Sequence, residues 1–160
     1  MKTIYTIGVY NSTEISYFEK LIVNKIDLFC DIRQRRGVRG SQYKYVNSNY
    51  LQNTLNNLGI TYWYVKQLAP TAEIREKQKR VDKLNNVTKR CRNTLGDVFS
   101  NEYCESILNV FDIRRFVNEI DFNNFQNIVF FCVEENASAC HRSLVAQRIS
   151  EITGWKIINL

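Results

Sequence analysis

The alternation of short apolar runs with stretches of helical periodicity predicts an α/β chain: one three-layer domain over residues 1–160, with about five mainly parallel strands flanked by helices. Two further observations point the same way. Residues 128–133 (IVFFCV) are apolar throughout and rich in β-branched and aromatic side chains, which suits a strand covered on both faces of a parallel sheet. Glycines, notably Gly8 and Gly59, fall between strand-like and helix-like runs, where the chain must turn.

The elements follow in order. Residues 2–8 read as a first strand, and Ile15, Phe18, Leu21, Ile22 and Ile26 as the apolar stripe of a helix capped by Ser12 or Thr13. Residues 28–32 form a second strand, followed by a Gly- and Arg-rich loop at 33–44. A helix carrying Leu51, Leu55 and Leu58 comes next and is closed by Gly59. Residues 60–65 are a third strand. A helical insertion is expected at about 72–120: a charged, weakly amphipathic helix to about Arg92, then a better one with Tyr103, Ile107, Phe111 and Val117. The first of these is a candidate lid or binding arm. The strand at 128–133 precedes a helix with Leu144, Val145, Ile149 and Ile152, and residues 155–160 form a last strand.

A chain of 160 residues can bury roughly two-thirds of its unfolded surface without a metal or disulfide to hold it. Its five cysteines are odd in number and lack paired spacing, and no leader pattern precedes them, so thiols that are free or metal-bound, in a reducing cytoplasm, are expected. No apolar run approaches the roughly 20 residues that span a bilayer, so no membrane partner is expected. The net charge of +6 is unevenly placed. Residues 31–45 hold five basic residues against Asp31, residues 73–92 hold eight against three, and the remainder is mildly acidic. Two local basic excesses point to an anionic small molecule or nucleic acid as partner.

Chemistry concentrates where the fourth strand gives way to its helix. Cys140, His141 and Arg142 fall at that helix start, where unpaired backbone N–H groups and the macrodipole favour a thiolate or an anion, and His141 is the only histidine in the chain. Ligands of open α/β sheets bind beyond the carboxyl ends of the strands. The end of strand one brings Gly8, Tyr10, Asn11 and Ser12, the end of strand two brings Asp31, Arg33 and Arg39, and the end of strand four brings Cys132 and Glu134.

Five short motifs, in order, resemble the domain of unknown function 488 family over nearly the whole chain. Thr6-Ile7-Gly8 with Asn11 is similar to that family's opening strand, Asp31-Ile32-Arg33 with Arg39 to its Asp-Val-Arg loop, and Gly59-Ile60-Thr61-Tyr62 followed by Leu68 to its Gly-Ile-x-Tyr stretch. Cys132-Val133-Glu134 followed by Cys140-His141-Arg142 is similar to its Cys-x-Glu to Cys-His-Arg ending. The chain departs from the family at Val9 and Asn159, where histidines are common, and at Leu68-Ala69-Pro70, where Leu-Gly-Gly is usual. The resemblance implies a Rossmann-like fold and no established activity.

Three functions fit these residues. In the first, a phosphate- or nucleotide-ligand enzyme, Cys140 is the nucleophile, His141 or Glu134 moves protons, Arg142 favours the thiolate, Asp31 orients an arginine or accepts a proton, and Arg33 and Arg39 hold phosphate with Gly8, Tyr10, Asn11 and Ser12 nearby. Neither Cys132 nor Cys140 opens a phosphate loop of the cysteine phosphatase spacing. In the second, a non-catalytic nucleotide- or nucleic-acid-binding module, Tyr43, Tyr45 and Tyr50 stack on bases among the loop cations. In the third, Cys132, Cys140 and His141 hold a metal, with Asp31 or Glu134 completing the set. Each residue also has a plainer reading: Cys30 and Cys132 as core, Cys91 and Cys104 as incidental, His141 bonded to a carbonyl, Arg142 clamping Asp31. No motif names a cofactor or an oligomeric state.

Overall fold

The strands form where apolar runs can be covered on both sides: Thr3–Ile7 (β1), Leu28–Asp31 (β2), Thr61–Tyr64 (β3), Asn127–Phe131 (β4) and Lys156–Asn159 (β5). In the computed structural model, which describes residues 2–86 and 94–160, they make one all-parallel sheet in the order β3-β2-β4-β1-β5. Period-two alternation sends Tyr5, Ile7, Phe29, Val129 and Phe131 to one face and Ile4, Leu28, Cys30, Ile128 and Phe130 to the other. Helices α1 (Glu14–Val23) and α2 (Ser48–Asn57) cover the first face; α3 (Ala72–Leu84), α4 (Asp97–Tyr103), α5 (Ile113–Phe122) and α6 (His141–Thr153) contribute to the core on the second. Among the described residues, no helix is long and apolar enough to cross a membrane.

Several helices differ in detail from the sequence expectation. Thr13, not Ser12, caps α1, through a reciprocal box with Ser16. Of the expected stripe Phe18 and Leu21 are buried, joined by Tyr17, while Ile15 and Ile22 face solvent and Ile26 is buried beyond the helix end. Leu58 is the C-cap just beyond α2 and is exposed; Gly59 follows it with φ +72°, the left-handed conformation that ends helices. The charged helix α3 stops at Leu84, and the expected continuation toward Arg92, with Cys91, lies outside the described residues. The following amphipathic stretch is two helices. A π turn at Cys104–Leu108 ends the first, and Asp112 starts α5 by accepting from the Arg115 N–H.

Candidate functional site

Insertion of β4 between β1 and β2 sets three strand ends side by side, the place where open α/β sheets bind ligands. Beyond β4 the chain runs through Cys132, Val133 and Glu134 into a single 3₁₀ turn, Ala137–Ala139, and Cys140 then adopts an extended conformation (φ −139°, ψ 143°) as the residue before α6. Cys140 and His141 are adjacent in sequence, yet both side chains turn inward: Cys140 is 2% and His141 5% exposed.

Three groups meet there. Cys140 Sγ lies 3.7 Å from His141 Nδ1, and the ligand atoms of Cys132, Cys140 and His141 all fall within 4.8 Å of one another. His141 Nε2 lies 3.1 Å from the carbonyl of Ile32. Because a carbonyl only accepts, Nε2 carries the proton, and in the neutral imidazole Nδ1 turns its lone pair to Cys140. Tyr103 packs its ring 5.3 Å from the imidazole and donates its hydroxyl to the Leu68 carbonyl at 2.5 Å, which fixes the wall behind His141.

The two thiols are driven apart in acidity. Burial pushes the Cys140 thiol up, but the hydrogen bond from Cys132, the Arg142 guanidinium and the Arg142 backbone N–H outweigh it and the charge of Glu134, bringing it down to about 7. The bond donated to Cys140, with burial, pushes the Cys132 thiol up to about 12. Alkylation of native Cys140 by iodoacetamide is therefore expected to rise about tenfold per pH unit below about 7 and to level off above it. Cys132→Ala, which removes the donor, is expected to move that midpoint upward. Site-resolved mass spectrometry across a pH series measures both, and a midpoint that stays near 9 refutes the assignment.

Asp31 and Arg33 form a closed pair. The Arg33 guanidinium donates Nε and Nη2 to the two carboxylate oxygens at 2.9 and 2.7 Å, the Arg33 backbone N–H adds a bond at 3.1 Å, and Tyr62 donates its hydroxyl at 2.9 Å. Both side chains are buried, and Arg33 lies over the Phe131 ring at 4.5 Å. The third guanidinium nitrogen, Arg33 Nη1, is buried without a hydrogen-bond partner among the described residues.

Arg142 does not clamp Asp31. It reaches back to donate to the carbonyls of Glu134 at 2.6 Å and Glu135 at 2.8 Å, holding the loop after β4. Gly8 lies against the same loop: a Cβ there would sit 1.8 Å from the Glu134 carbonyl oxygen. The turn after it is tied internally. Asn11, at φ +60°, takes its backbone bond to Tyr43 and donates its side chain to Glu135 at 2.5 Å; Ser12 donates to the Val9 carbonyl at 2.5 Å and meets the Tyr45 hydroxyl. Gly8, Asn11, Ser12, Asp31 and Arg142 are thus placed as supports around the pocket, and none of them lines it.

Cys132, Glu134, Cys140, His141 and Arg33 do line it, in a cavity of about 990 Å³, at the upper end of the range for small-molecule sites. The loop after β2 adds Arg35 and Arg39, and Tyr10 stands beside Tyr43, ring centroids 5.6 Å apart. Helix α3 forms the opposite wall with Arg75, Lys79 and Lys83, and Gln78 and Phe99 complete it; six cations face the space with three carboxylates, Glu76, Asp82 and Glu134. The i, i+4, i+8 spacing of Arg75, Lys79 and Lys83 is the sequence signal that could have set these α3 cations on one helix face. Tyr103, Gln78 and Phe99 carried no signal beyond apolar or polar periodicity. Of the family departures, Val9 is core, Asn159 accepts from the Thr6 hydroxyl at 2.7 Å, and Pro70 lines the cavity. Tyr43 and Tyr45 are buried in the core, so they anchor the arginine loop; Tyr50 is exposed and bonds Glu14. The four described cysteines are free thiols, Cys30 in the sheet core and Cys104 in the π turn.

A family model described as domain of unknown function DUF488 matches residues 15–149. No curated protein and no solved structure was found to match the chain.

Proposed function

Because the chain belongs to the DUF488 family, whose description assigns no reaction, we propose from the site itself that the protein is a thiol-dependent enzyme acting on a phosphate-bearing ligand such as a nucleotide. One observation carries the reading: a Cys140–His141 contact of 3.7 Å at a cavity whose walls bear six cations. Cys140 attacks, and His141 takes the thiol proton at Nδ1, its other nitrogen held by Ile32. Arg39, Arg75 and Lys79 hold phosphate, and Arg33 offers its spare Nη1 donor, oriented by Asp31. Tyr10, held beside the core ring of Tyr43, offers a face for a base. Arg142 and Gly8 position the loop that carries Glu134.

A screen of nucleotides and phosphorylated metabolites against the native chain tests this. On a substrate so found, Cys140→Ser is expected to cut turnover at least about a thousandfold while leaving ligand binding within a few-fold. Turnover that survives the substitution removes the nucleophile; tight, salt-sensitive binding without turnover favours a nucleotide- or nucleic-acid-binding module instead. A second reading has its own support: Cys132, Cys140 and His141 are donor types suited to Zn²⁺, with the His141 Nε2–H held by a carbonyl as zinc-bound imidazoles usually are. Asp31 would not complete that set, since Arg33 and Tyr62 take both its oxygens. One equivalent of zinc in protein purified without chelator is its expected signature.

A further inference from the structure

The proposed enzyme uses one thiol, yet the site holds two. Cys132 and Cys140 approach each other within 4.8 Å, eight residues apart on a loop that joins β4 to α6, and both line the same cavity. No other described thiol shares the space: Cys30 lies within the sheet core, and Cys104 lies in the π turn. Both sulfurs are nearly shut off from bulk solvent, so a reactant must be small or seated in the cavity.

We propose that Cys132 and Cys140 are a peroxide-reactive pair, Cys140 as the attacking thiol and Cys132 as the resolving thiol, closing to a reversible disulfide. The inference shares Cys140 with the reading above but needs no phosphate-bearing ligand. The Cys140 sulfur attacks the nearer oxygen of a hydroperoxide and the O–O bond breaks. The sulfur is oxidised to a sulfenic acid, and the peroxide is reduced to water or an alcohol. The thiol proton passes by way of His141 Nδ1 to the departing oxygen. The Cys132 sulfur then attacks the sulfenic sulfur, the S–S bond forms as the S–O bond breaks, and the leaving hydroxide departs as water with the Cys132 proton. The two thiols supply the two electrons. An added dithiol reopens the bridge by exchange. Closing the bridge bonds the Cys140 sulfur to that of Cys132, so the oxidised protein loses its nucleophile.

The test treats the reduced native chain with equimolar hydrogen peroxide and maps peptides by mass spectrometry without reductant. A Cys132–Cys140 cross-link lighter by two hydrogens is expected, with Cys140 alkylation falling at least about tenfold and returning after dithiothreitol. In Cys132→Ser, the Cys140 sulfenic acid should persist and be captured by dimedone. A folded protein in which Cys140 is oxidised past the sulfenic stage while Cys132 stays reduced overturns the inference and leaves the nucleophile reading intact. Cross-linking to another cysteine also overturns it, as does one equivalent of bound zinc that shields both thiols. A cross-link in a protein that binds no phosphate-bearing compound supports this inference and sinks the other; a Cys140 that reacts only after unfolding sinks both.

Discussion

Asp31→Ala is expected to cost about 3–5 kcal/mol of folding stability, because it strands the Arg33 guanidinium in the interior. Asp31 is 0% and Arg33 3% exposed, and the carboxylate takes three bonds from Arg33 and one from Tyr62. With the acid gone, a buried cation keeps the face of Phe131, and among the described residues Nη1 already lacks a partner. The cost belongs to the orphaned charge more than to the pair. Asp31→Asn should therefore remain severely destabilised although it keeps the shape, while Asp31→Asn with Arg33→Met should recover much of the loss. Urea unfolding of the three variants decides the matter. A double variant no better than Asp31→Asn would mean that the pair's own geometry, not its desolvated charge, carries the stability.

Gly8→Ala should be the most damaging of the glycine-to-alanine changes, at about 3 kcal/mol or more. Its Cβ would lie 1.8 Å from the Glu134 carbonyl oxygen, 2.8 Å from the carbonyl carbon and 3.2 Å from Arg142 Nη2. Neither side yields readily. On one side β1 is hydrogen-bonded to both β4 and β5; on the other, Arg142 grips the carbonyls of Glu134 and Glu135. The displaced loop carries Glu134 toward the cavity, so Cys140 alkylation is expected to lose its selectivity as stability falls. Thermal unfolding and site-resolved labelling of the one variant read both effects. Gly59→Ala is a useful contrast, since a Cβ there meets nothing within 4 Å and only the left-handed φ is strained.

The class of fold was legible because apolar runs and helical periodicity are local. So were the strand ends that carry chemistry, and with them Cys140, His141 and Arg33. Pairing was not. Asp31 precedes both Arg33 and the arginine loop in sequence, and only the turn after β2 decides that Arg33 folds back on it while Arg142 reaches for carbonyls eight and seven residues upstream. The contact between Cys140 and His141 is hidden for a similar reason: neighbouring residues usually diverge, and the extended backbone at Cys140 is what lets both face inward. Ile15 and Ile22 misled because they share helical spacing with Phe18 but lie on the rim of the stripe.

The strand order has a consequence for how the molecule comes into being. Thr3 pairs with Asn127 and Leu28 with Ile128, so the first two strands never touch and wait on a segment made about a hundred residues later. A ribosome-bound chain that ends before β4 has an unbridged gap down its middle, with apolar strand faces open on either side. Cys140, His141 and the carbonyl of Ile32 come together only after that gap is filled. Nascent chains thus lack the assembled site, and the low-pH reactivity that sets Cys140 apart from an ordinary thiol serves as a reporter that the sheet has closed.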